Sequence, residues 1–160
     1  MALTCIKIVS GHQDYEGLPR AAGRLRMRRG LEAMQLTRHT DYALRLLIYL
    51  AGIEGGRSQI ATVAEAQAIS RTHLMKIANE LARAGFIAAV RGRGGGIALA
   101  RPPEEINIGA VVEAMEPRCP LVDCGSCRLL KRCSLPGVLD EADMAFRNTL
   151  ARYSLADICG

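Results

Sequence analysis

The sequence predicts a mainly α-helical protein with a small β-hairpin, closed by a long C-terminal helix. Three observations carry that expectation. Apolar residues recur at helical spacing from Thr37 onward, and one pair of short strand-like runs flanks a glycine-arginine loop at 91–96. Aromatic residues are scarce, 4% of 160 with no Trp, so the core must be built from Leu, Ile, Val and Ala, as in helical folds that pair with a second copy. An apolar content of 49% is that of a globular chain, and the length gives room for one domain with extensions.

Residues 1–33 lack sustained periodicity and are rich in Gly and Arg. They read as a flexible basic arm or as sequence upstream of the natural start; the second is favoured, because Met34 would itself serve as a start. A DNA-binding unit is expected over 34–103, a short helix and a cysteine loop over 104–134, and a dimerisation helix over 135–158.

The first helix is expected from Thr37 to Ala51, apolar on the side of Leu44, Leu47, Ile48 and Ala51 and ended by Gly52. Thr62-Val63-Ala64-Glu65 fits a capping box, in which a hydroxyl and a carboxylate satisfy reciprocal backbone donors, and is expected to open a short helix. Ser70 caps the next helix, in which Leu74, Ile77, Ala78 and Leu81 form the buried stripe and Gly85 the left-handed stop. Arg71, Thr72, Met75, Lys76, Asn79 and Arg83 then face outward. A short helix, a tight turn and a longer helix with a polar face make a helix-turn-helix.

Phe86 to Val90 and Ile97 to Ala100 should pair as a hairpin across Arg91-Gly92-Arg93-Gly94-Gly95-Gly96, the wing of a winged helix. Pro102-Pro103 breaks the chain, a brief helix follows over Ile108 to Met115, and Pro117 and Pro120 bracket the entry to the cysteine loop. Leu135, Val138, Leu139, Ala142, Phe146, Thr149, Leu150 and Tyr153 keep helical spacing for about five turns, with Pro136 tolerated at the start. That stripe needs a partner, and the same helix of a second subunit would give a two-fold dimer matched to a palindromic site.

Charge supports a phosphate partner. Of the formal +5, the segment Arg57 to Arg101 holds seven Lys/Arg against only Glu65 and Glu80. Ser70, Arg71, Thr72, His73, Met75 and Lys76 on the helix, and Arg91, Arg93, Gly94 and Gly95 in the wing, are the candidate double-stranded DNA contacts. Arg71 and Lys76 suit guanine edges or phosphates, and Thr72 or Met75 a thymine methyl. The bland alternatives are a solvated charged face, a helical hairpin packed on protein and a plain tight turn. A nucleotide phosphate loop would need Lys-Ser/Thr after the last glycine, where Ile97 stands.

Four of the six cysteines fall in Cys119-x4-Cys124-x2-Cys127-x5-Cys133. Soft thiolates at this spacing suit an iron-sulfur cluster or zinc, and zinc is disfavoured by the x5 interval and by the lack of a nearby His. Unliganded or disulfide-forming cysteines are the remaining reading. Arg128, Lys131 and Arg132 would offset an anionic cluster or simply solvate the loop. Cys5 and Cys159 stand alone and read as incidental.

No apolar run is long enough for a membrane span and the N-terminus is no secretory signal, so a cytoplasmic location with reduced thiols is expected. His12, His39 and His73 are scattered and no nucleophile-base constellation appears, so an enzyme is not expected.

Met34-Gln35-Leu36-Thr37 with Thr40-Asp41-Tyr42-Ala43-Leu44-Arg45, Ser70-Arg71-x-His73 with Lys76, the wing loop, the cysteine loop and the final Tyr153-Ser154-Leu155-Ala156-Asp157 together resemble the Rrf-type winged-helix transcriptional regulators. Over residues 34–158 the likeness is to the nitric-oxide-sensing iron-sulfur repressors among them. The resemblance implies a cluster, 4Fe-4S ahead of 2Fe-2S, held by Cys124, Cys127 and Cys133 and completed by Asp41 from the partner subunit. The interval Cys124-x2-Cys127 is shorter than the family's usual one, and Cys119 is the alternative first ligand. Asp41 has a plainer role too, since an acid in the first helical turn favours the dipole; His39 nearby reads as a surface residue. The resemblance implies a repressor released by nitric oxide. The rivals are an iron- or cluster-status regulator of the same family and, from another class, an electron-transfer or cluster-carrier protein.

Overall fold

The computed structural model describes residues 35–92, 95–117, 121–125, 127 and 133–159. Residues 1–34, Arg93, Gly94, Cys119 and 128–132, on which some of the expectations above fall, lie outside the described residues.

Helix α1 (Arg38–Gly52) begins where expected, with Thr37 as N-cap; its hydroxyl accepts the Thr40 backbone N–H at 3.3 Å. Its buried face, however, is Ala43, Leu46, Leu47 and Leu50 rather than Leu44, Leu47, Ile48 and Ala51; Ile48 is 37% exposed. The run is apolar nearly all round, so spacing alone does not choose a side. Contacts with the third and fourth helices and with the C-terminal turn do. Gly52 is the last helical residue and not a left-handed cap; the reversal falls at Gly55 and Gly56.

Strand β1 (Arg57–Ser58) follows, then α2 (Ile60–Ala66). The expected capping box at Thr62 is not formed. Gln59 is the N-cap, without a side-chain bond, and Thr62 and Glu65 lie inside the helix. The start is set upstream, where β1 pairs with the sheet, and Val63 and Ala64 supply the buried side. The turn out of α2 carries Ala68 at φ +52°, a left-handed residue without the usual glycine.

Helix α3 (Arg71–Arg83) matches its expectation closely. The Ser70 hydroxyl accepts the His73 N–H at 3.2 Å; Leu74, Ile77, Ala78 and Leu81 are buried. Gly85 at φ +77° ends the helix in the left-handed region that glycine reaches without strain.

Strands β2 (Ile87–Val90) and β3 (Gly96–Leu99) form the expected hairpin, with Ile87 opposite Leu99 and Val90 opposite Gly96. The sheet has a third strand that the sequence did not announce: β1 lies on the far side of β3, Arg57 opposite Ala98 and Ser58 opposite Ile97, in the order β1-β3-β2. A two-residue strand has no periodicity to read, and pairing alone creates it.

After a 3-10 turn at Pro103–Glu105, α4 (Ile108–Met115) is capped by Asn107, whose carboxamide oxygen accepts the Ala110 N–H at 3.1 Å. The C-terminal region is not one helix over 135–158. Helix α5 (Leu135–Leu150) stops, and α6 (Leu155–Ile158) starts afresh behind a capping box made by Ser154 and Asp157. The break exists because Leu155 is fully buried in the core, with its N–H donated to the Ile106 carbonyl at 2.7 Å. A continuing helix would carry Leu155 away from that position.

The core lies between α1, α3, α4 and α6, with Leu46, Leu47, Leu74, Ile77, Leu81, Ile106, Val111 and Leu155 at its centre. Within α5 no residue is buried; Leu135, Val138 and Met144 are half exposed or more, while Leu150 packs against the core. Among the described residues no helix is long and apolar enough to cross a membrane.

Candidate nucleic-acid interface and cysteine loop

The outward face of α3 is the one the stripe predicts. Arg71, Thr72, Met75, Lys76, Asn79 and Arg83 are all exposed, and Met75 keeps 45% of its surface in water. A large apolar side chain left out among cations has no folding reason to be there. It suits a surface that meets base edges and thymine methyls. Ser70 is exposed, but its hydroxyl is engaged in capping the helix.

His73 departs from this group. It is half-buried, packed edge-on against Tyr42 of α1 with ring centroids 5.3 Å apart, and 6.1 Å from the His39 ring. His39, expected to be a surface residue, is half-buried and bonds through Nε2 to the Glu80 carboxylate at 2.6 Å. Sequence spacing on either helix gives no sign of a contact made across them.

In the wing, Arg91 is exposed. Gly95 closes the turn from inside, donating its N–H to the Gly92 carbonyl at 2.9 Å, and a Cβ on it would collide with the Val90 carbonyl. Gly96 is equally constrained, with its missing side chain's place taken by the Ser58 carbonyl of β1. These glycines hold the wing's shape, and the cation beside them is the group free to reach phosphate. Arg57, counted in the basic segment but not among the candidate contacts, adds an exposed cation on β1. Arg101 lies over the Phe86 ring, 5.6 Å from its centroid, and donates to the Gly85 carbonyl at 3.3 Å, fastening the end of α3 to the end of β3.

The cysteine loop leaves α4 at Glu116 and returns at α5. Cys124 and Cys127 are half-buried and share one turn, with the Cys127 N–H donated to the Cys124 carbonyl at 3.2 Å; Cys133 is exposed at the foot of α5. Asp123 stiffens the same turn by accepting the Gly125 N–H at 2.9 Å. Among the described residues no three His, Cys, Asp or Glu side chains already converge as a ligand set. The donors themselves, soft thiolates on a short surface loop, fit an iron-sulfur group.

Asp41 sits in the first turn of α1 with its carboxylate taken by Arg45 one turn on, at 3.0 Å to Nε and 2.9 Å to Nη2. Cys159 is half-buried against the core, and burial raises its thiol pKa, as expected of a packing residue.

A helix-turn-helix with an exposed cationic face, backed by a three-stranded winged sheet, defines a winged-helix DNA-binding transcriptional regulator. The chain belongs to the Rrf2 family, described as iron-dependent transcriptional regulators, whose family model matches residues 36–160. Among solved structures it is similar to CymR, the global cysteine regulator of B. subtilis, at 23% identity over 79% of this chain and 97% of that one, with a TM-score of 0.62. It is also similar to IscR of T. potens, at 24% identity over 78% and 85% of the two chains and a TM-score of 0.63. The oxidised form of S. aureus CymR matches at 27% identity over 76% and 93%, with a TM-score of 0.62. The family is one of regulators, and the chain is not an enzyme.

Proposed function

We propose that the protein is a cytoplasmic, homodimeric repressor of the nitric-oxide-responsive type, as in the NsrR regulators, whose grip on a palindromic operator depends on an iron-sulfur cluster. The observation that carries this reading is the pairing of Cys124 and Cys127 in one turn, followed by Cys133 at the foot of α5, in a chain that also displays the recognition face of α3. Cys124, Cys127 and Cys133 would hold the cluster, with Cys119 as the alternative to Cys124 and Asp41 of a second copy as the non-thiolate ligand. When bound, such a group supplies iron that nitric oxide attacks.

The chain's own part is mechanical. The loop hangs between α4 and α5, so thiolates drawn to a common centre would fix how α5 leaves the DNA-binding unit. Leu135 and Val138, exposed on the apolar stripe of α5, give it a surface for its counterpart in a second copy. Loss of the thiolate grip would free that geometry and relax the spacing of two α3 helices on DNA.

The test is anaerobic purification of the full chain with absorption spectroscopy and iron and sulfide analysis, followed by operator binding before and after nitric oxide. A brown protein that releases DNA on exposure is the expected result. A colourless, iron-free protein after reconstitution contradicts the cluster, and a brown protein indifferent to nitric oxide contradicts the signal. The description of the family as iron-dependent favours a second reading, in which iron or cluster supply is the signal; an iron chelator, and not nitric oxide, would then release the operator.

A further inference from the structure

We propose that His73 and Tyr42, together with the His39–Glu80 pair, are positioning residues that set the angle of the recognition helix against α1, and that His73 does not read bases. His73 and Glu80 are seven residues apart on α3, two turns along one flank of the buried stripe, and their side chains converge on α1 at two neighbouring points, the His39 ring lying 6.1 Å from the His73 ring. His39 and Tyr42 are one turn apart on the facing side of α1. The upper attachment is the edge-on stack of Tyr42 and His73 at 5.3 Å; the lower is the His39–Glu80 bond at 2.6 Å.

Two points of contact fix a direction where one would leave a pivot. The buried stripe of Leu74, Ile77 and Leu81 gives most of the adhesion, but apolar burial is non-directional and tolerates a small rotation. An edge-on ring pair and a short charged hydrogen bond do not. His73 lies directly after Arg71 and Thr72, at the end of α3 that meets DNA, so an error in angle is felt by both. The inference concerns DNA recognition and stands whether or not the cysteines hold a cluster.

The test uses the full chain purified without oxygen, a duplex enriched from a random-sequence pool by the native protein, and calf-thymus DNA as the unselected competitor. His73→Ala, Tyr42→Leu and His39→Leu should each weaken binding to the enriched duplex by roughly three- to tenfold, the loss of one directional contact, with binding to calf-thymus DNA unchanged. His73→Phe keeps the ring and should bind as the native chain does. The proposal is overturned if His73→Phe loses as much as His73→Ala, since the imidazole nitrogens would then be touching DNA. It is equally overturned if the alanine and leucine variants bind the enriched duplex normally, or if both DNAs are lost in parallel.

Discussion

The Glu116 carboxylate, at the exit of α4, accepts a hydrogen bond from the hydroxyl of Thr40, the one buried polar residue among those described, 76 positions earlier in the first turn of α1. It also takes the Thr37 backbone N–H at 3.1 Å and the Thr37 hydroxyl at 3.0 Å. One carboxylate therefore caps α1 and satisfies an interior hydroxyl, and its negative charge stands where the helix dipole favours it. Glu116→Ala leaves the Thr40 hydroxyl only the Thr37 hydroxyl at 3.0 Å and removes the cap on Thr37, and should lower stability by about 2 kcal/mol. Glu116→Gln should cost less. Urea unfolding followed by circular dichroism measures both, and equal midpoints for native and alanine chains would contradict the role.

The capping box at α6 predicts a pH effect. The Asp157 carboxylate accepts the Ser154 backbone N–H and hydroxyl, both at 2.7 Å, and these bonds, the backbone one first, hold its pKa below the ordinary aspartate value. A folded pKa that is depressed gives stability that is present above the unfolded value and lost as pH falls through the folded one. The thermal midpoint should therefore drop below about pH 4, and Asp157→Asn should remove that portion of the acid sensitivity.

The wing predicts a steric effect. Because the Ser58 carbonyl occupies the space where a Gly96 side chain would stand, Gly96→Ala must push β1 and β3 apart. DNA binding should weaken while the helical circular dichroism of the folded chain is retained. Gly92→Ala meets no neighbour but is strained by its φ of +101°, so it serves as a control for backbone conformation without collision.

Exposed cations on α3 and in the wing should behave as phosphate contacts. Lys76→Ala, Arg91→Ala or Arg57→Ala should reduce the slope of log affinity against log salt by about one each, whereas Met75→Ala should change sequence preference with the salt slope intact. Titrating each variant at several salt concentrations tells the classes apart.

The cysteines should separate by role. Cys124→Ser, Cys127→Ser and Cys133→Ser should each abolish iron retention after anaerobic reconstitution, and Cys159→Ser should not. Iron retained by all three loop variants would contradict the assignment of the loop as the ligand source.

Much of this was legible because it is local. Ser70, the Leu74–Leu81 stripe and Gly85 form a complete helix signature within sixteen residues, so both faces of α3 could be read directly. In α1 the near-continuous apolar run hid which side was buried, and contact with α3, α4 and α6 decided it. Thr62 and Glu65 have the right letters for a cap but sit inside a helix whose start is fixed by strand pairing. Glu116 bonding Thr37 across 79 positions, and Leu155 drawing the C-terminus back into the core, are long-range events that no window of sequence contains. At the site, the exposed cations followed from periodicity. The turn of His73 toward Tyr42 arises from side chains of two helices meeting in space, whereas Arg45's hold on Asp41 is an i,i+4 pair within α1.

The contact of Ser58 with Gly96 makes the link between α1 and α2 part of the same sheet as the wing. The segment that leads into the helix-turn-helix and the wing thus share one hydrogen-bonded sheet. A change in the α1–α2 link would therefore be felt at the wing through β3.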